Sequence, residues 1–173
     1  MRAAIATLAL LVSSGAAAQE KPALELGTRL GLTVLNANGE TSTLFSVPGA
    51  GFLSFPALYV SFFPSESMVI EPQLFLQRFG SDGNSSHAVG FAVDLKFHSE
   101  SVARNSLYGL IDLAVVDGSG GDSEFGLGAG AGHRWIVRHV LGVSLEGRLR
   151  RWLDDELNEI TLGLNLGTIL PRR

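Results

Sequence analysis

The fold is decided by the stretch Leu24-Glu25-Leu26-Gly27-Thr28-Arg29-Leu30-Gly31-Leu32-Thr33-Val34. Its even positions are apolar apart from one threonine, whereas its odd positions carry glycine, threonine and two charges. Successive side chains of a β-strand point to opposite faces, so this period of two predicts a strand with one apolar and one polar face. Residues 160–167 repeat the pattern, with leucine or isoleucine at every even position.

Six further segments between these two ends follow the same alternation. They cover residues 52–63, 68–79, 87–97, 107–116, 125–136 and 140–152. Transmembrane strands need about 9–11 residues, which is longer than the usual strand of a soluble sheet. The sequence therefore predicts an all-β fold, an eight-stranded antiparallel up-and-down transmembrane β-barrel.

The connections between these strands also alternate in character. Short turns are predicted at residues 64–67 and 137–139, with a longer one at 98–106. Loops rich in Gly, Asn, Ser and Asp are predicted at the opposite end, at residues 36–51, 80–86, 117–124 and 153–158. Short turns at one end and longer loops at the other are typical of outer-membrane barrels.

The first residues have the pattern of an export signal. Met1-Arg2 is followed by an apolar run from Ala3 to Val12, and Ala16-Ala17-Ala18 supplies the small residues that signal peptidase requires. The run is too short to span a bilayer as a helix, which takes about 20 residues. We predict a signal peptide over 1–18, cleavage before Gln19, and one barrel domain over 19–173.

Composition excludes several classes of function. The 173 residues are 46% hydrophobic and only 17% charged, with a net charge of -4 and no cysteine. Disulfide scaffolds, thiolate metal sites and thiol catalysis are therefore excluded. The mildly acidic balance without a basic cluster argues against nucleic acid. Nothing in the sequence indicates an oligomeric state.

The apolar face is predicted to contact lipid. The polar face is rich in Gly, Ala and Ser, which suits the narrow interior of a small barrel better than a water-exposed sheet. Phe62, Phe97 and Trp135 lie on the apolar face near the short-turn end, where an aromatic girdle belongs at a lipid–water boundary. A soluble barrel of the lipocalin type, with its apolar face inward, is the alternative.

Ten charged residues on the inward face form a predicted polar network in the lumen. We expect Lys96 to face Glu71, and Arg150 to lie diagonally from Glu159. Because buried charges are costly unless they are paired, the five acids and five bases indicate a salt-bridged plug. A gated ion path is the alternative. The ten residues are Glu25, Arg29, Glu71, Asp94, Lys96, Asp112, Arg134, Glu146, Arg148 and Arg150.

Sites of catalysis or metal binding are weakly indicated. The loop at 117–124 has acidic residues that could hold calcium, but it lacks the EF-hand pattern, and acidic loops could also meet a surface ligand through divalent cations. His98-Ser99-Glu100 places a base, a nucleophile and a carboxylate side by side, although a triad is assembled in space and not along the chain. We therefore expect no catalytic residue, no metal site and no cofactor.

One family resemblance rests on two segments. Pro56-Ala57-Leu58-Tyr59-Val60-Ser61-Phe62-Phe63-Pro64 and Ile70-Glu71-Pro72-Gln73-Leu74 are similar to the second and third strands of the OmpA/OmpX-type outer-membrane barrel family. The chain departs from that family at its end, because Pro171-Arg172-Arg173 stands where a terminal aromatic residue is usual.

The resemblance implies a location in the outer membrane of a Gram-negative bacterium, in contact with its lipid, and a non-enzymatic structural or surface-interaction role. A lipid-modifying barrel enzyme and a periplasmic soluble barrel that binds an apolar ligand are the two alternatives.

Overall fold

A computed structural model of the chain describes residues 22–37, 40–46, 57–81, 84–118, 123–153 and 157–170. The predicted signal peptide and its cleavage site lie outside these residues. Nine strands are present in the described part: β1 (Leu24–Ala37), β2 (Glu40–Ser46), β3 (Ala57–Phe62), β4 (Met68–Ser81), β5 (Asn84–His98), β6 (Ser106–Gly118), β7 (Ser123–Val137), β8 (Leu141–Trp152) and β9 (Asn158–Leu170). No helix among the described residues is long and apolar enough to cross a membrane.

The nine strands form an eight-stranded barrel because β2 and β3 occupy successive parts of one barrel strand. Both pair antiparallel with β1, β2 from Gly31 to Ala37 and β3 from Leu24 to Arg29. Residues 47–56, which join β2 to β3, lie outside the described part of the chain. The barrel closes where β1 pairs antiparallel with β9, from Leu24 opposite Leu170 to Asn36 opposite Asn158. The predicted closed antiparallel barrel is therefore confirmed.

We call the end that carries Ala23 and Leu170 the proximal end, where the amide of Ala23 donates to the carbonyl of Leu170 at 3.1 Å. The connections at 63–67, 99–105 and 138–140 also lie at this end. The opposite, distal end carries the connections that follow β1, β4, β6 and β8.

Two of the predicted distal loops are wrong. Residues 40–46, placed in a loop over 36–51, form β2 and pair with β1 as far as Glu40 opposite Ala37. The loop predicted over 80–86 is also largely strand, because β4 pairs with β5 as far as Ser81 opposite Asn84. The stretch over 80–86 is rich in Gly, Asp and Asn, which have low strand propensity, but pairing with a neighbouring strand overrides that preference. In the stretch over 40–46, in contrast, Thr41, Thr43 and Phe45 favour a strand, and the loop prediction overlooked them. The described part of the strand predicted over 52–63 is β3, which begins at Ala57 and ends at Phe62. Residues 52–56 lie outside the part of the chain that the structure describes.

Among the described residues, the ladder between β3 and β4 is interrupted opposite Pro72. Pairing between β4 and β5 runs without a break past Pro72. Pairing between β3 and β4, in contrast, is present at Leu58, Tyr59 and Phe62 but not at the two positions between them. Proline has no N–H to donate, so it interrupts the ladder on one side. A hydrogen bond of 2.7 Å from the Ser61 hydroxyl to the Glu71 carboxylate bridges the gap from inside.

The two faces of the wall have opposite polarity. Large apolar side chains cover the outside; Leu113, for example, is 62% exposed. Polar and charged side chains fill the inside, together with two small apolar clusters. One cluster lies at the proximal end and contains Phe63, Val69 and Val102. The other lies at the distal end, where Phe75, Val116 and Leu157 pack against a group formed by Ala92, Ala114 and Trp152.

Candidate functional site

The ten charged residues predicted for the lumen are all buried inside the barrel. Each has at most 8% of its surface exposed, and Asp94 has none. They come from six strands, because the alternation directs every second side chain inward. They are Glu25 and Arg29 of β1, Glu71 of β4, Asp94 and Lys96 of β5, Asp112 of β6, Arg134 of β7, and Glu146, Arg148 and Arg150 of β8.

The centre of the network is the carboxylate of Asp94. Its Oδ2 accepts hydrogen bonds from Gln73 Nε2 at 2.5 Å, Arg148 Nη2 at 2.5 Å and Arg29 Nη2 at 3.2 Å. These donors belong to β4, β8 and β1, so the bonds converge from several sides of the barrel. Charge-assisted bonds of this kind are stronger than neutral ones, and they fill the middle of the lumen with side chains.

A second group surrounds the ammonium of Lys96. Its Nζ lies 2.6 Å from Glu71 Oε1 and 3.4 Å from Glu146 Oε2. The rings of Tyr59 and Tyr108 lie 5.9 and 5.3 Å from the same nitrogen, within the range of cation–π attraction. The predicted pairing of Lys96 with Glu71 is therefore present. It is diagonal, because Lys96 stands directly opposite Val69.

The proximal part of the network is centred on Glu25. Its carboxylate forms an ion pair with Arg134 and accepts a hydrogen bond of 2.9 Å from the Tyr59 hydroxyl. The guanidinium carbon of Arg134 lies 5.7 Å from the centre of the Phe63 ring. Phe63 follows β3 and Arg134 belongs to β7, so this contact crosses the lumen just inside the proximal end.

The distal part is centred on Arg150. Its Nη2 lies 2.6 Å from Asp112 Oδ2, and its Nη1 lies 3.2 Å from Glu159 Oε2. The indole of Trp152 donates to Glu159 at 3.0 Å. Arg150 pairs with Glu159 as predicted, but the two stand directly opposite in the ladder, and the diagonal geometry expected from the sequence is wrong.

Glycines on the inner face of β7 make room for the large side chains of β8. Gly126, Gly128, Gly130 and Gly132 stand opposite Trp152, Arg150, Arg148 and Glu146, in that order. A Cβ at Gly130 would collide with the carbonyl of Gly147, and one at Gly128 with the carboxylate of Asp112. The volume available for side chains inside a small barrel is fixed. The glycines of β7 therefore compensate for the large side chains of β8.

Several inward residues of the network were not singled out from the sequence. Arg29 donates to Gln73 at 2.7 Å and to Asn165 at 2.8 Å, and Tyr108 donates to Glu146 at 2.9 Å. The alternation could have identified Gln73, Asn165 and Tyr108, because each lies on the inward face of its strand, as the predicted charges do. Counting charges alone overlooks neutral hydrogen-bonding groups.

The predicted girdle residues lie on the outer face near the proximal end. Phe62 and Phe97 are exposed, and Trp135 is partly exposed. Trp135 packs against His133, with 4.3 Å between the ring centroids. Aromatic side chains thus border the apolar band on that side.

The described residues do not bring His98, Ser99 and Glu100 together, and the acidic loops lie partly outside those residues. His98 points inward, and its Nδ1 lies 2.8 Å from the hydroxyl of Ser106, whereas Ser99 and Glu100 are exposed. In the loop proposed to hold calcium, Asp117 stands opposite Ser123 in the β6–β7 ladder. Residues 119–122 lie outside the description, as do Asp82, Asp154, Asp155 and Glu156 of the acidic loops. The described residues contain no cluster of three or more potential metal ligands.

Sequence comparison identifies no relative: no family profile and no curated protein matches the chain. Structural comparison, in contrast, finds solved proteins with a similar fold. Ail, the attachment invasion locus protein of Yersinia pestis, is 13% identical and aligns with a TM-score of 0.57, over 87% of this chain and 99% of Ail.

Two other solved structures also have a fold similar to that of this chain. The Neisserial surface protein A is 10% identical with a TM-score of 0.60, over 84% of this chain and 96% of that protein. The outer membrane protein OprG of Pseudomonas aeruginosa is 8% identical with a TM-score of 0.58, over 88% of this chain and 98% of OprG. The chain therefore has the fold of the small eight-stranded outer-membrane barrels, as its sequence predicts.

Proposed function

We propose, on the premise of this shared fold, that the chain is a non-enzymatic protein of the Gram-negative outer membrane. Its role is structural or is exercised through surface contacts at its distal end, while charged side chains close its lumen. The observation that carries the proposal is the polarity of the wall. Buried charges and an apolar exterior are the inverse of a soluble protein, and they suit a barrel whose solvent is lipid.

The exterior argues against a soluble periplasmic barrel. Leu107 and Leu113 on β6 and Leu149 on β8 are each more than 60% exposed. Large exposed apolar patches are rare in soluble monomers. A binder of apolar ligands also needs an apolar cavity, whereas this lumen is crossed by the ion pairs of Asp94, Lys96 and Arg150.

The interior argues against a steady pore. Ion pairs span the lumen at three levels, centred on Glu25, Asp94 and Arg150. Above and below them lie the distal and proximal apolar clusters. An eight-stranded barrel is just wide enough for its side chains, so this content supports a lumen without a continuous aqueous path.

The geometry also argues against a lipid-modifying enzyme. His98 and Ser106 are hydrogen-bonded to each other, and both side chains are buried inside the barrel. A catalytic nucleophile must reach its substrate, and a lipid on the outside of the wall does not reach this pair.

The surface role would be exercised at the distal end. A structure of Ail has been solved in complex with the heparin analogue sucrose octasulfate. In this chain, Glu40, Asp117 and Glu124 lie at or near the distal ends of their strands. We propose that a polyanionic surface ligand would need divalent cations to approach this acidic rim.

The test combines fractionation with electrical recording. The mature protein should sediment with the outer membrane, resist extraction by high salt and dissolve only in detergent. In planar bilayers it should give no steady conductance. A folded monomer in plain buffer would overturn the outer-membrane assignment, and a stable open pore would overturn the closed lumen.

A further inference from the structure

We infer that residues 99–105, the connection between β5 and β6, form a strap that seals the proximal mouth of the barrel against water. This inference rests on the proposed function, because it identifies which element closes one end of the lumen. The strap is a different structure from the charged network, and it can be altered without touching any charge of that network.

The strap is anchored on both sides of its own hairpin. On one side, the amide of Val102 donates to the carbonyl of Glu66, in the turn between β3 and β4, at 2.6 Å. On the other side, the amide of Ile136 in β7 donates to the side-chain oxygen of Asn105 at 2.8 Å. A tight hairpin would contact only β5 and β6, so these bonds draw the strap across neighbouring strands.

The strap has an inner apolar side and an outer polar side. Val102 is completely buried, Ala103 is buried, and Val102 packs with Phe63 and Val69. Ser99, Glu100, Arg104 and Asn105 are exposed in contrast. A surface connection normally leaves its side chains in water, so the burial of a valine in its middle indicates that it closes over the interior.

Polar groups lie directly beneath this apolar layer. Arg134 faces the Phe63 ring, and His98 and Ser106 pair with each other just inside the mouth. Water that entered at this end would compete for the ion pair between Arg134 and Glu25. The apolar side chains of the strap and of Phe63 keep that part of the network dry.

The experiment introduces a single cysteine as a reporter. The natural chain contains no cysteine, so every labelled thiol is the introduced one. Ser144 is buried on the inner face of β8, opposite Arg134 and away from the strap. In the folded full-length mature protein in micelles, Ser144→Cys should react slowly with a charged maleimide. Adding Val102→Ser should raise that rate by about tenfold, because labelling of a buried thiol follows the population of the open state.

The matched control is Val140→Ser in the turn between β7 and β8. It makes the same change at the same end of the barrel, but Val140 is exposed and lies outside the strap. It should leave the labelling rate unchanged. If Val102→Ser prevents folding, Asn105→Ala removes the anchor to Ile136 from an exposed position and should still accelerate labelling.

Two results would overturn the inference: fast labelling of Ser144→Cys beneath an unaltered strap, or equal rates with and without the strap substitutions. Failure of the proposed function is separate, because it would appear as steady conductance or detergent-free solubility of the unaltered protein. A closed barrel whose labelling ignores the strap would refute the strap alone.

Discussion

Arg148 Nη2 lies 2.5 Å from Asp94 Oδ2, although these two residues stand on β8 and β5, three strands apart around the barrel. The pair therefore bridges the lumen instead of following the wall. Arg148 also reaches Glu146 Oε1 at 2.8 Å and Asp112 Oδ2 at 3.3 Å. One guanidinium thus balances carboxylates from three strands, and its removal affects the whole cross-section.

Replacement of Arg148 by alanine should destabilise the barrel strongly. It leaves Asp94, Glu146 and Asp112 buried without one of their partners, and breaking a buried ion pair in this way typically costs about 3–5 kcal/mol. Urea unfolding in lipid vesicles measures the change in the free energy of unfolding. Arg104→Ala removes the same type of charge from an exposed position and should change that free energy by less than about 0.5 kcal/mol. Equal stability of the two variants would contradict a structural role for the cross-lumen pair.

Gly130 should not tolerate alanine, whereas Gly147 should. A Cβ at Gly130 would collide with the carbonyl of Gly147 and approach the Cα of Arg148 at 3.1 Å. Such overpacking against backbone usually costs about 1–3 kcal/mol. Gly147 points outward, and a Cβ there would meet nothing within 4 Å.

The same urea titration would measure both glycine variants. Each variant adds a single methyl group. The difference between their free energies of unfolding therefore reports whether the glycine faces the lumen or the outside. A Gly147→Ala barrel less stable than the Gly130→Ala barrel would contradict the inner and outer faces described here.

The faces of the strands could be predicted from the sequence because they depend only on a period of two. Every one of the ten charges assigned inward by that rule is buried, from Glu25 near the proximal end to Arg150 near the distal end. Alternation is a local property of the chain. The assignment of a residue to the inner or outer face therefore stays correct even where the predicted ends of a strand are wrong.

The partners across the barrel could not be predicted in the same way. Whether Arg150 stands opposite or diagonal to Glu159 depends on the ladder register, which one extra residue in the connection changes. The contact of Arg148 with Asp94 depends on the diameter and tilt of the closed barrel, which no single hairpin specifies. β2 was overlooked because it directly follows Asn36-Ala37-Asn38-Gly39, which is typical of a loop, although Thr41, Thr43 and Phe45 favour a strand.

Removal of the export signal should leave a mature chain that begins at Gln19. Ala16 and Ala18 supply the small residues that signal peptidase recognises. Intact mass of the protein from purified outer membranes should therefore lack 18 residues, as counted from the cleavage position in the sequence. Ala18→Leu should slow processing and accumulate the longer form. Membrane-embedded protein that retains Met1 would contradict the predicted cleavage.

The cost of an arginine on the outer face should depend on its depth. Leu145 and Leu141 are both exposed on β8, but Leu145 lies towards the middle of the strand and Leu141 is its first residue at the proximal end. At the bilayer midplane an arginine costs about 2–4 kcal/mol, and near the interface only about 0–1 kcal/mol. Leu145→Arg should therefore lower the free energy of unfolding in lipid vesicles much more than Leu141→Arg.

The comparison separates lipid from water as the medium that contacts this face. In water, an arginine on an exposed position of the wall would cost little at either depth, because neither side chain is needed for the interior. Small and equal costs for the two variants would therefore place the outer face in water. A large cost at Leu145 alone requires a hydrocarbon layer whose polarity changes along β8, which is the property that defines a membrane-spanning strand.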